Sequence, residues 1–102
     1  MRIISKRRLR EFWQKNPDAE TSLRFWHSVS KRVIWRNPAE MKRDFAFADL
    51  VGNCTVFDIK GNYYRLIVKI EYAKQTIYIK HVLSHKEYDK EKWKEGCGKK
   101  GD

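Results

Sequence analysis

Gly61–Asp89 reads GNYYRLIVKIEYAKQTIYIKHVLSHKEYD. Over Tyr63–Tyr72, and again over Ile77–Leu83, apolar and polar residues alternate, the period of a strand with one buried face. Ala73–Thr76 supplies the turn between them, although it lacks the Gly or Asn of a strong hairpin signal. The stretch therefore predicts a long antiparallel hairpin. Setting Tyr72 opposite Ile77 fixes the register: Leu66 with Leu83, Val68 with His81, Ile70 with Ile79 and Tyr72 with Ile77 share one face. Arg65 with Ser84, Ile67 with Val82, Lys69 with Lys80 and Glu71 with Tyr78 share the other. The first set predicts the core face, with His81 as a satisfied core or rim histidine. The second carries Arg65, Lys69 and Lys80. Opposed lysines destabilise a ladder by roughly a few tenths of a kcal/mol unless something screens them. Such a face is either a phosphate-binding floor or an ordinary solvated basic face.

The strand ends in Ser84-His85-Lys86-Glu87-Tyr88-Asp89. Histidine exchanges a proton near neutral pH, tyrosine donates or accepts through its phenol, and lysine offsets developing charge. His85 and Tyr88, with Arg65 and Lys80 on the basic face and Lys86 between, are the parts that metal-free RNA cleavage requires. A base removes the ribose 2′-proton, cations stabilise the phosphorane, and an acid protonates the leaving 5′-oxygen. The sequence leaves open which residue is acid and which is base. His-x-x-Tyr is a weak motif alone; its position at the end of a basic strand gives it weight.

Upstream, Cys54–Ile59 predicts a strand joined to the hairpin through a tight turn at Lys60-Gly61. The half before it is helical. Met1–Ile4 is a brief first strand, and Ser5 is placed to cap a helix over Lys6–Lys15, where Leu9, Phe12 and Trp13 form one stripe. Asn16-Pro17-Asp18-Ala19-Glu20 restarts a second helix that runs to about Trp35. Asn37-Pro38-Ala39-Glu40 is a variant capping box ahead of a short helical turn. Phe12, Trp13, Phe25, Trp26, Trp35, Phe45 and Phe47 read as core rather than as base-stacking platforms. His85–Trp93 reads as a loop with one helical turn. The predicted architecture is α+β: two N-terminal helices on one face of a mostly antiparallel sheet of about four strands. Residues 1–93 form one domain and residues 94–102 a flexible polar tail.

A chain of 102 residues supports one modest core. Its net charge of +10 is uneven: residues 1–43 hold 12 Lys and Arg against 4 Asp and Glu, the remainder 11 against 9. The basic helices, with Arg7, Arg8 and Arg10, predict a polyanion or an acidic protein as partner. Cys54 and Cys97 form neither a disulfide framework nor a CxxC site, and His27, His81 and His85 lack metal-ligand spacing. No metal or cofactor is expected. The N-terminus has no apolar h-region and no apolar run approaches 18 residues, so neither a signal peptide nor a membrane span is expected. These features predict a cytosolic protein with both thiols reduced.

Val56-Phe57-Asp58-Ile59, Gly61-Asn62, Arg65, Tyr78-Ile79-Lys80 and His85-Lys86-Glu87-Tyr88-Asp89 together resemble the HigB toxins of the RelE-like superfamily. The resemblance extends more weakly through the opening strand, the helix pair and the Asn-Pro step at Asn37. It implies a small RelE-like α+β fold and a ribosome-dependent endoribonuclease that cuts messenger RNA in the decoding site. It further implies a HigA-type helix-turn-helix antitoxin and, through it, binding to promoter DNA. Carried over by position, the cationic strand residues are Arg65 and Lys80, and the end-of-strand pair is His85 and Tyr88. Lys69, Lys86 and Asn62 join Arg7, Arg8 and Arg10 as RNA-binding candidates, although a turn-forming Asn explains Asn62 equally well. Two other functions share these features: a ParE-like gyrase poison, and a non-catalytic RNA-binding domain built on the basic helices.

Overall fold

The computed structural model describes residues 1–98. Helix α1 occupies Lys6–Lys15, burying Leu9 and Trp13 and exposing Lys6, Arg7, Arg8 and Arg10. Ser5 precedes it in an extended conformation, but its hydroxyl makes no capping bond. A 3-10 turn, Pro17–Ala19, leads into α2, Glu20–Arg32, whose Leu23, Trp26 and Ser30 are buried. The Met1 ammonium donates to the carbonyls of Ser30, Lys31 and Val33 at 2.9–3.0 Å. That places a positive charge on the negative end of the α2 dipole. The cap at Asn37 forms as the sequence predicts. Its Oδ1 accepts from the Glu40 amide at 2.9 Å, and the Glu40 carboxylate accepts from the Arg36 amide at 3.0 Å. The helix that follows, α3, spans Pro38–Asp44.

The sheet has five strands: β1 (Arg2–Ile4), β2 (Asp49–Val51), β3 (Cys54–Ile59), β4 (Tyr64–Glu71) and β5 (Thr76–Ser84). Their order is β1-β5-β4-β3-β2, with β1 parallel to β5 and every other pair antiparallel. The fold is thus the expected α+β one, with β2 added at the edge. The main core lies between helices and sheet, where Leu9, Leu23, Trp26 and Trp35 meet Phe57, Leu66, Val68 and Ile77. Phe25 and Phe47, expected inside, are 63% and 84% exposed.

The turn of the hairpin comes one residue earlier than expected, because Glu71 pairs with Thr76 and Ile70 with Ile77. Gln75 takes the left-handed conformation, φ 51°, that a glycine would otherwise supply. Its amide donates to Trp35 O at 2.7 Å and Tyr72 O at 2.9 Å, which holds it there.

The ladder then slips. Val68 pairs with Ile79, yet Ile67 pairs with His81, so β5 carries an extra residue at Lys80. A bulge of this kind reverses the faces of everything beyond it. Val82 therefore joins the core, and Leu83 packs on the opposite face. The expected opposition of Lys69 and Lys80 does not form, since Lys69 faces Tyr78. His81, expected on the core face, is opposite Ile67, a residue of the other face.

That other face has a core of its own. Cys54, Val56 and Ile67 are covered by Trp93 and Cys97, with Leu83 and Tyr88 alongside. The helical turn expected after the strand is α4, His85–Asp89, and where the polar tail is expected to begin the chain forms a 3-10 turn, Lys92–Gly96. Cys97 O accepts from the Asn53 amide at 2.8 Å, and the Gly98 carbonyl abuts Gly52 so closely that no Cβ fits there. The tail residues 99–102 lie outside the described residues. The reduced thiols expected from the sequence are also corrected. Cys54 and Cys97 form a disulfide with Cα atoms 5.2 Å apart, because β3 and the final turn converge on the same face.

Candidate active site

The site is built where β4, β5 and α4 meet. Arg65 lies on β4 opposite Leu83, and the four-residue turn after Ile59 brings it across from Asp58. Its Nε is 3.1 Å from Asp58 Oδ1, and Nη1 donates to Asn62 O at 2.6 Å. The Arg65 side chain is 13% exposed, and its guanidinium lies over the Tyr88 ring at 5.0 Å. Trp93 is stacked on Tyr88, with centroids 4.9 Å apart and planes 14° apart. Trp93 Nε1 donates to Tyr88 O at 2.9 Å, tying the stack to the end of α4. Burial pushes the Tyr88 phenol upward, against the opposing Arg65 charge, so the phenol keeps its proton at neutral pH.

Ser84 caps α4 by accepting from the Glu87 amide at 3.3 Å, and the His85 amide donates to Tyr63 O at 3.0 Å. Those two bonds place His85 at the start of the helix, where it is half-exposed. His85 Nδ1 lies 2.9 Å from Asp89 Oδ2, one helical turn away, which leaves Nε2 to face solvent chemistry. Lys80 reaches the same face from the bulge, its ammonium donating to Gly96 O at 2.8 Å.

The structure therefore brings Arg65 and Tyr88 into contact, while Lys80 reaches Gly96 O and His85 pairs with Asp89. The remaining candidates are more dispersed. Asn62 meets Arg65 through its backbone carbonyl. Lys69 lies toward the far end of the sheet, 3.9 Å from Glu71, and lines a separate cavity with Cys54 and Tyr72. Lys86 is exposed on α4. On α1, Arg7 pairs with Glu11 at 3.4 Å, Arg8 donates to Lys80 O at 2.8 Å, and Arg10 is exposed. A cavity of about 680 Å³ borders Asn62 and Asp58 but none of Lys80, His85 and Tyr88. Sequence reasoning missed Asp58 and Trp93. Asp58 was legible as an acid facing Arg65 across a four-residue turn; Trp93 carries no such signal.

Two helices over one face of a mixed sheet, with a cationic rim on the other, define a RelE-like α+β domain. The profile of HigB_toxin, a RelE-like toxic component of a toxin–antitoxin system, matches residues 19–91. The mRNA interferase HigB of Escherichia coli O6:H1 is 32% identical over 93 residues, covering 88% of this chain and 90% of that protein. The mRNA interferase toxin HigB of Escherichia coli K12 is 27% identical over 92 residues, covering 87% and 88%. The mRNA interferase HigB of Shigella flexneri has the same identity and coverage. This chain belongs to the HigB toxin family. Among the described residues no helix is long and apolar enough to cross a membrane.

Proposed function

We propose that this protein is an mRNA interferase: the toxin of a type II toxin–antitoxin pair, cutting messenger RNA on the ribosome by metal-free attack of the ribose 2′-hydroxyl. The observation that carries this reading is the Arg65–Tyr88 contact at the rim of a cationic sheet face, with a histidine–carboxylate pair one turn away. The names of the Escherichia coli and Shigella relatives support the same activity. Arg65 and Lys80 offset charge at the pentacoordinate phosphorus, and His85 and Tyr88 serve the proton transfer to the leaving 5′-oxygen. Tyr88, whose phenol is pushed upward, serves as a proton donor. The basic face of α1, with Arg7, Arg8 and Arg10, docks on ribosomal RNA phosphates, while Lys86 and Lys69 add longer-range attraction. The working unit is the toxin domain read from the sequence over residues 1–93, together with Cys97, which the disulfide ties to Cys54. Its regulator is a HigA-type helix-turn-helix antitoxin that carries the complex to promoter DNA, and the compartment is the cytoplasm.

The test is primer extension on messages translated in an extract with and without the purified protein. New message ends at defined codon positions are expected. A folded His85→Ala variant is expected to cut about 10²–10⁴-fold more slowly. Intact messages with loss of DNA supercoiling would replace this reading with a gyrase poison. Ribosome binding without new ends would reduce it to an RNA-binding module.

A further inference from the structure

The bulge at Lys80 does more than change the register. It turns two successive side chains, Lys80 and His81, toward the face away from the main core. His81 is then a diagonal cross-strand neighbour of Arg65, whose direct partner is Leu83, at roughly 7–8 Å between such positions. His81 and Leu83 line two cavities. One, about 370 Å³, is bounded by Trp93, Gly96, Glu87 of α4 and Lys90 just after it. The other, about 340 Å³, opens between β5 and α1, where Arg8, Lys15 and Phe12 face the strand. The strand edge is accessible there because β1 ends its pairing at Tyr78.

We infer that His81 is a further catalytic residue of the proposed nuclease, receiving the 2′-proton of an RNA strand seated between α1 and β5. This rests on the nuclease reading and assigns it a base. The 2′-oxygen bonds to phosphorus while its proton moves to the His81 ring, and the bond from phosphorus to the 5′-oxygen breaks. Tyr88 gives its phenolic proton to that oxygen, and the His81 imidazolium returns a proton to the phenolate through water. The products are a 2′,3′-cyclic phosphate and a 5′-hydroxyl. Arg8 and Lys80 supply positive charge near the ring.

Burial first, then the charges of Arg8 and Lys80, lowers the pKa of His81, so its ring is neutral and able to accept a proton at pH 7. Facing it are Arg8, Glu11 and Lys15 of α1. Glu87 and Lys90 face it from the α4 side, and Lys92 and Glu95 from the final turn.

The experiment is single-turnover cleavage of a ribosome-bound message from pH 5.5 to 8.5, with ribosome co-sedimentation measured in parallel. His81→Gln is expected to slow cleavage about 10²–10⁴-fold with co-sedimentation unchanged. Arg8→Gln removes a charge that lowers the pKa, so the acid limb of its profile is expected at higher pH than in the wild type. Cleavage by folded His81→Gln within about threefold of wild type would overturn the role of His81 and leave the nuclease reading standing. An unmoved acid limb in Arg8→Gln would do the same, and it decides the matter even where His81→Gln fails to fold. Absence of cleavage by the wild-type protein would overturn the nuclease reading and this role together.

Discussion

The Arg65 guanidinium covers one face of the Tyr88 ring, 5.0 Å from its centroid, while its Nε is held 3.1 Å from Asp58. A planar fork is needed for both contacts, and lysine does not supply one. Arg65→Lys is therefore expected to lose about 1–2 kcal/mol of stability, most of it from the stack and one charge-assisted bond. Its cleavage rate should fall more than its melting temperature suggests. A variant that melts and cuts like the wild type would show that charge alone suffices at this position.

Trp93 seals the second core and stacks on Tyr88 at 4.9 Å. Truncation to alanine is expected to cost about 3–5 kcal/mol in denaturant unfolding. Trp93→Phe keeps a ring against Tyr88 but loses the Nε1 bond to Tyr88 O, for about 1 kcal/mol. Equal losses in the two variants would mean that the stack contributes little.

The Cys54–Cys97 bond closes a loop across 43 positions. Reduction by a dithiol is expected to lower unfolding stability by about 2–4 kcal/mol. Trp93, four residues from Cys97, should report the loosening through its fluorescence. The double variant Cys54→Ser, Cys97→Ser should match the reduced protein. If oxidised and reduced chains unfold at the same denaturant concentration, the link does not stabilise the fold.

Asp18 joins the start of α2 to the β3–β4 hairpin, accepting from Tyr64 Oη at 2.6 Å and Lys60 Nζ at 2.9 Å. The Tyr64 hydrogen bond first, and then Lys60, lowers its pKa below the ordinary carboxylate value. A group whose pKa is lower in the folded state stabilises above its unfolded value, and that contribution is lost as pH falls through the folded one. The melting-temperature gap between wild type and Asp18→Asn should therefore be widest near neutrality and close on acidification below the ordinary carboxylate range. A gap that stays constant from pH 7 to pH 3 would rule out the ionised contact.

Much of the architecture was legible because helices and strands differ in period. Leu9, Phe12 and Trp13 marked α1 to the residue, and Asn37 with Glu40 marked α3. The hairpin was legible as a pair of strands, but its register was not. Counting in twos cannot reveal an inserted residue when neither Lys80 nor His81 is a glycine. The turn was misplaced for a related reason. Gln75 is held left-handed by the Trp35 carbonyl, forty positions earlier in the chain. Within the site, the grouping of Arg65 with Tyr88 survived these errors because β4 kept its faces throughout. His81 was assigned to the wrong face because it lies beyond the bulge. The pairing of Cys54 with Cys97 depends on a turn that brings the chain back over β3, and two isolated cysteines carry no trace of that return.

Trp93 and Cys97 are synthesised after all five strands, yet they form the cover over Cys54, Val56 and Ile67. Synthesis runs from the N-terminus, so the helices and sheet emerge from the ribosome before the residues that buttress Tyr88. A nascent chain stalled before Trp93 has the basic face of α1 but lacks the ring that stacks on Tyr88. The order of synthesis thus leaves the packing around Tyr88 to residues that emerge only after the whole sheet.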